Sequence, residues 1–152
     1  MTPESNYEID ELCTFVKCKS KSIWIVYAFE SKNIVGFNVG SRTNLTLKKV
    51  VDKVLNVNQQ AIFTYRLKKY KSLIPQCIHK TVRFGTNNIE RANLTLRTHL
   101  KRLNRKSICF SKSKVMLKAV LNIYFASVSL SLYMNYILLF RLVLESPIFK
   151  TN

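Results

Sequence analysis

A chain of 152 residues, 47% of them hydrophobic, has room for one domain around one core. Its 25 Lys and Arg against 8 Asp and Glu leave a net charge of +17. That excess points to a polyanionic partner, nucleic acid before an anionic membrane, because each phosphate neutralised by a cation releases condensed counterions. The four cysteines, Cys13, Cys18, Cys77 and Cys109, include no C-x-x-C pair and no His at ligand spacing, which argues against structural zinc and for reduced thiols. The polar, acidic start is unlike a secretory signal, so a cytoplasmic protein is expected.

Three strands are predicted first: Tyr7 to Lys17, Ile23 to Phe29 and Ile34 to Val39, with polar breaks at 19–22 and 30–33 short enough for a meander. Ser41-Arg-Thr-Asn44 suits a helix start, and Leu45, Leu47, Val50, Val51, Val54 and Leu55 follow at helical spacing. Ala61 to Thr64 reads as a fourth, buried strand. Residues 66–88 read as basic loop with one short helix at 67–73. From Ile89 to about Arg105 a helical period returns. Ile89, Leu96, Leu100 and Leu103 are expected on one stripe, and Glu90, Asn93, Arg97, Lys101 and Asn104 on the opposite one. This order makes an α/β fold with a mixed sheet and flanking helices. The 22 residues from Ala119 to Phe140 carry no charge. They could span a bilayer by length, but Asn122, Asn135 and three serines favour a partly buried helix followed by an irregular hydrophobic tail, and a membrane partner is not expected.

Acids are few, so their positions carry information. Between Asp52 and Glu145 the sole acid is Glu90, at the start of a helix rich in Arg and Lys. A carboxylate there complements the helix dipole, or it serves as a metal ligand among phosphate-binding cations. In Tyr7-Glu-Ile-Asp-Glu-Leu12, strand alternation puts Glu8 and Asp10 on one face and Glu11 on the other. Phosphodiester chemistry uses such carboxylates because Mg²⁺ prefers hard oxygen ligands.

Ile89-Glu-Arg-Ala-Asn-Leu-Thr-Leu-Arg-Thr-His-Leu-Lys-Arg-Leu-Asn-Arg-Lys-Ser-Ile-Cys-Phe-Ser-Lys-Ser113 closely resembles the C-terminal signature of transposases of the insertion sequence one family. Ile9-Asp-Glu-Leu-Cys-Thr-Phe-Val16, Ile23-Trp-Ile-Val-Tyr-Ala28 and Gly40-Ser-Arg-Thr-Asn-Leu-Thr-Leu47 continue the likeness, which covers about residues 7–125. The resemblance implies a ribonuclease H-like DDE transposase that cuts DNA and joins the freed end to a target with Mg²⁺ or Mn²⁺. Its partners would be double-stranded DNA, at element ends and target, and further copies of itself on that DNA. Asp10 would be the first metal-binding carboxylate and Glu90 the third. Arg97, seven residues later on the same face, would hold a phosphate, and Arg91, Asn93, Lys101, Arg102, Arg105 and Lys106 would complete the DNA-binding surface.

Two departures from the family pattern bear on activity. Tyr65 stands where the second Asp belongs, in Ile62-Phe-Thr-Tyr-Arg66. A neutral phenol does not replace a carboxylate on Mg²⁺. Asp52 is no substitute, lying inside the preceding helix. The resemblance also implies an upstream DNA-binding segment that these residues do not contain, and residues 126–152 match nothing in the family. The expectation is a catalytic domain over residues 1–125 with a non-family hydrophobic tail over 126–152. It would be a copy with impaired chemistry, or a silent basic protein that still grips DNA.

Overall fold

The computed structural model describes residues 5–31, 33–57, 59–81, 85–104 and 108–145, with backbone alone for residues 132, 133 and 135–145. Two compact units divide it, Met1–Lys118 and Ala119–Asn152.

In the first unit β1 (Ser5–Val16), β2 (Cys18–Glu30) and β3 (Asn33–Gly40) form the expected antiparallel meander. Helix α1 (Asn44–Leu55) follows and returns the chain to β4 (Gln59–Thr64), which pairs parallel to β1, and β5 (His79–Lys80) adds to the outer edge of β4. The sheet order is β3-β2-β1-β4-β5, so β1 is the central strand and the sheet is mixed. The parallel β1–β4 pair requires a long connection, supplied by the meander and α1. The stretch expected as a short helix is a 3-10 turn, Lys68–Ser72.

Helix α1 starts as its sequence suggests: the Thr43 hydroxyl accepts from the Thr46 amide at 3.4 Å. Its apolar positions Leu47, Val50, Val51 and Val54 are fully buried and join Tyr7, Ile9, Val26, Ala28 and Ile62 in one core on one face of the sheet. The approach of α1 to the sheet constrains Gly40, where an added Cβ would lie 2.8 Å from Thr46 Oγ1. That oxygen belongs to a β-branched, buried side chain held by Thr43. At Gly36 the corresponding neighbour is Lys53 Cδ, the end of a flexible chain. Gly40→Ala is therefore expected to cost on the order of 1–3 kcal/mol and Gly36→Ala much less. Urea melts of the two variants check this, and equal losses would contradict it.

Helix α2 (Asn87–His99) lies across β1 on the other face. It is shorter than the periodicity implied: Leu100 adopts φ −109°, ψ 86°, which ends the helix, and Lys101–Leu103 continues as a 3-10 turn. The expected stripe is only partly realised. Ile89, Leu96 and Leu103 are buried, but Asn93 and Arg97, assigned to the opposite stripe, also reach β1.

Helix α3 (Lys114–Glu145) is one continuous element, so the irregular tail expected beyond it is helical as far as Glu145. Its segment Lys114–Ser131 has the length and mean hydropathy, 1.2, of a membrane span, properties that core helices share. Within the second unit Leu121 and Phe125 are buried while Ile123, Leu130 and Met134 are exposed.

Candidate active site

Strand alternation decides which β1 acids can act together. Glu8 and Asp10 face α2, and Glu11 faces the other side, where its carboxylate accepts from Arg42 Nη2 at 2.7 Å. Arg42 in turn lies 4.4 Å from the centre of the Trp24 ring, so Glu11 belongs to a structural ion pair. The Tyr70 hydroxyl is buried near Glu11, and burial followed by the negative charge of Glu11 raises its pKa.

Glu8 has a role that sequence reasoning missed. Its Oε2 accepts from the Ile89 amide at 2.8 Å and its Oε1 from Asn88 Nδ2 at 2.6 Å. The first turn of a helix has amides without intrahelical partners and a positive dipole end. Here a carboxylate from the neighbouring strand satisfies one of them, because the N-cap residue Thr86 makes no side-chain cap bond to the backbone. Glu8 thus pins the start of α2 over β1. The available signal was its place on the Asp10 face.

With Glu8 serving the helix start, Glu90 is left with a lighter task. Its side chain is exposed and accepts one bond, from the Thr86 hydroxyl at 2.9 Å. Glu90 stands one turn before Asn93, and its charge reaches Asp10.

Asp10 is held more firmly. Its Oδ2 accepts from Asn93 Nδ2 at 2.7 Å, and Asn93 Oδ1 accepts from the Tyr27 hydroxyl at 2.8 Å. The Ile89 carbonyl, at 3.3 Å, is a second, weaker acceptor for that hydroxyl. Tyr27 is the cross-strand partner of Asp10 and is almost fully buried. Only one orientation of the Asn93 amide serves both neighbours, since turning it would aim its oxygen at the carboxylate. Asn93, expected on the DNA-binding surface, is therefore occupied inside this network. Burial is the main cause that pushes the Asp10 carboxyl up to about 6, helped by the charges of Glu11 and Glu90 and opposed by hydrogen bonds from the Glu11 backbone and Asn93.

Residue 65 comes beside Asp10 through the sheet. The last pair of the parallel β1–β4 ladder is Ile9 with Thr64, so Asp10 and Tyr65 are the next residues on the two strands. Tyr65 follows directly on β4 and is 64% exposed. Among the described residues no three His, Cys, Asp or Glu side chains come together as a metal-binding group.

The basic residues divide into two sets. Arg97 donates from Nη1 to the Leu103 carbonyl at 2.6 Å and from Nη2 to the Cys13 carbonyl at 3.0 Å. That geometry ties the end of α2 to β1. Arg97→Ala should destabilise the fold by about 2–4 kcal/mol, because charged donors to two backbone acceptors are lost together. A thermal melt shifted by less than a degree would show that the tie is dispensable. Arg102 approaches Ser111 Oγ at 3.5 Å, and Arg91 and Lys101 are exposed. Arg105 and Lys106 lie outside the described residues.

A family model described as IS1 transposase matches residues 6–130. The chain belongs to the IS1 transposase family. Among its relatives, the insertion element iso-IS1n protein InsB of Shigella dysenteriae is 36% identical over 108 residues, 70% of this chain and 82% of the relative. The IS1 protein InsB of Shigella sonnei is 37% identical over the same shares. An IS1 protein InsB of Escherichia coli K12 is 37% identical over 108 residues, of which it contributes 65% of its own length. Membership in this family implies DNA transposition and a DNA partner, and strand-transferase activity is its general property. The family match runs past Phe125, the end expected for the catalytic domain, to residue 130.

Proposed function

We propose that the chain is the catalytic domain of a DDE-type transposase with a ribonuclease H-like fold, which binds duplex DNA and carries an impaired centre for metal-dependent cleavage and strand transfer. The observation that carries the reading is the parallel β1–β4 ladder. The ladder ends at Ile9 with Thr64, one residue before Asp10 and residue 65, and Asn93 of α2, one turn after Glu90, holds Asp10; both support the reading. On this reading the three positions, far apart in sequence, correspond to the three acidic positions of the DDE pattern.

Asp10 and Glu90 are the carboxylates in this reading, and Tyr65 occupies the middle position. Mg²⁺ or Mn²⁺, when bound in such a centre, activates the attacking oxygen and stabilises the leaving one. The residues present do not fit the full centre: two carboxylates and a neutral phenol leave it one hard ligand short. What the chain's own groups do is orient Asp10. The Tyr27–Asn93 relay fixes Oδ2.

DNA binding is separable from that chemistry, because the net charge of +17 is spread beyond the carboxylates. Duplex affinity should be as strong in Asp10→Asn/Glu90→Gln as in the parent, and strongly salt-dependent in both. If about six phosphates are contacted, log K against log salt should slope near −5. Fluorescence anisotropy with a labelled duplex measures this, and affinity that is flat between low and physiological salt would contradict DNA binding by charge.

A further inference from the structure

Arg97, one of the cations expected on the DNA-binding surface, is engaged by backbone carbonyls, and another strongly basic surface exists at the far end of β1. The β1–β2 hairpin closes at Lys17, whose φ of 65° is uncommon for a residue with a Cβ. Phe15 pairs with Ser22 and Val16 with Cys18, so Lys19, Ser20 and Lys21 bulge out of the ladder. Residues 17–22 are all exposed. Lys17, Lys19 and Lys21 thus stand on a protruding tip, and no acid occurs between Glu11 and Glu30 to neutralise them.

This tip is fastened to a second basic segment. The Lys17 amide donates to the Ser111 carbonyl at 2.9 Å, Val16 forms a parallel bridge with Ser111, and the Phe15 and Phe110 rings meet edge-on at 5.6 Å. Ser111 is itself buried, and exposed Lys112 and Lys114 follow it. None of these five lysines makes an ion pair among the described residues. A purely solvated lysine loop would need neither a left-handed residue nor three contacts holding it to a neighbouring basic segment.

We propose that Lys17, Lys19, Lys21, Lys112 and Lys114 form a ridge that grips the phosphate backbone of duplex DNA, outside the carboxylate site and without reading sequence. The inference rests on the DNA-binding reading and adds to it the surface that makes contact. Lysine suits the task as a flexible point charge for phosphates, with no planar fork for base edges. Lys17 is seven residues along the strand from Asp10, about 23 Å at the rise of a β-strand. The ridge would therefore meet phosphates roughly seven base-pair steps from those at the carboxylates, at about 3.4 Å per step. A duplex lying along β1 would be held at one end and presented to Asp10 at the other.

The test compares two charge-matched variants of the full chain by anisotropy with a labelled duplex across a salt series. Lys17→Gln/Lys19→Gln/Lys21→Gln removes three charges from the tip, and Lys48→Gln/Lys49→Gln/Lys53→Gln removes three exposed charges from α1. The tip variant should lower the magnitude of the log–log slope by about 3, close to 0.9 for each lost phosphate contact. The α1 variant should lower it by less than 1. Lys19→Gln/Lys21→Gln, which leaves the turn residue in place, should lower it by about 2 and so excludes a folding defect at Lys17. Equal changes in the tip and α1 variants would reduce the effect to net charge and overturn the ridge. A tip variant with the parent's slope would overturn it while leaving DNA binding intact. A parent with no salt-dependent duplex binding would overturn the DNA reading itself. Tighter binding to phosphatidylserine vesicles than to duplex, lost in the tip variant, would reassign the surface to membranes and overturn the proposal.

Discussion

Tyr65→Asp is expected to raise metal-dependent strand transfer by orders of magnitude over the parent chain. The parallel ladder ends at Ile9 with Thr64, so on the proposed reading a carboxylate at residue 65 would complete the set with Asp10 and Glu90. Tyr65 is 64% exposed and follows the last residue of β4, so the change gives up little burial and, on the proposed reading, adds a hard ligand. Loss of a single catalytic group commonly costs several powers of ten, and its return should recover much of that. The assay needs a DNA-binding segment fused upstream and a duplex carrying the element's ends. Isothermal titration should show Mg²⁺ affinity rising in parallel. Equal activity in Tyr65→Asp and the parent, both well above Glu90→Ala, would show that residue 65 is not the missing position.

Asp10→Asn is expected to stabilise the fold at neutral pH, although it removes a carboxylate from the site. Burial holds the Asp10 carboxyl at about 6, against 3.8 for an ordinary Asp. Between those two values the folded chain keeps a proton that the unfolded chain releases, so stability falls as pH rises through the window. Above about pH 6 the full penalty is present, on the order of 3 kcal/mol. Asparagine carries no charge to bury and can still accept from Asn93. The gain of Asp10→Asn over the parent should therefore be small near pH 4 and grow to about 1–3 kcal/mol by pH 7. Paired urea melts at the two pH values measure it. A variant no more stable than the parent at pH 7 would show that Asp10 is not an unfavourably buried charge, and would remove its resemblance to a poised ligand site.

Much of the first unit was legible because its signals are local. The meander, α1 and β4 follow from apolar runs and polar breaks, and the alternation along Tyr7-Glu-Ile-Asp-Glu-Leu12 correctly separated Glu11 from its neighbours. The parallel pairing of β1 with β4 was not legible locally, since no local pattern reveals which strands will be parallel neighbours. The contacts of α2 were misread for a geometric reason. Asn93 lies one turn after Ile89, and Arg97 one turn after Asn93, so both sit beside the apolar stripe and not opposite it. Polarity suggested an outward face, and the sheet offered polar partners instead. Glu8 was missed because the anion that caps α2 comes from a strand about 80 residues earlier, a separation that capping patterns within a single helix do not cover. At the chain's end, the change in composition suggested an irregular tail, whereas residues free of Pro and Gly sustained a helix to Glu145.

The exposure of Tyr65 separates the fate of the chemistry from the fate of the fold. Evolution removes destabilised proteins through unfolding and proteolysis, and a substitution at an exposed strand end triggers neither. On the proposed reading, an insertion element would lose its cutting ability at this position and still yield a folded, basic product. Such a product would occupy the same DNA as its active relatives without acting on it. By mass action it would become a competitor whose strength is set by copy number and salt, and a damaged copy would restrain the spread of intact ones.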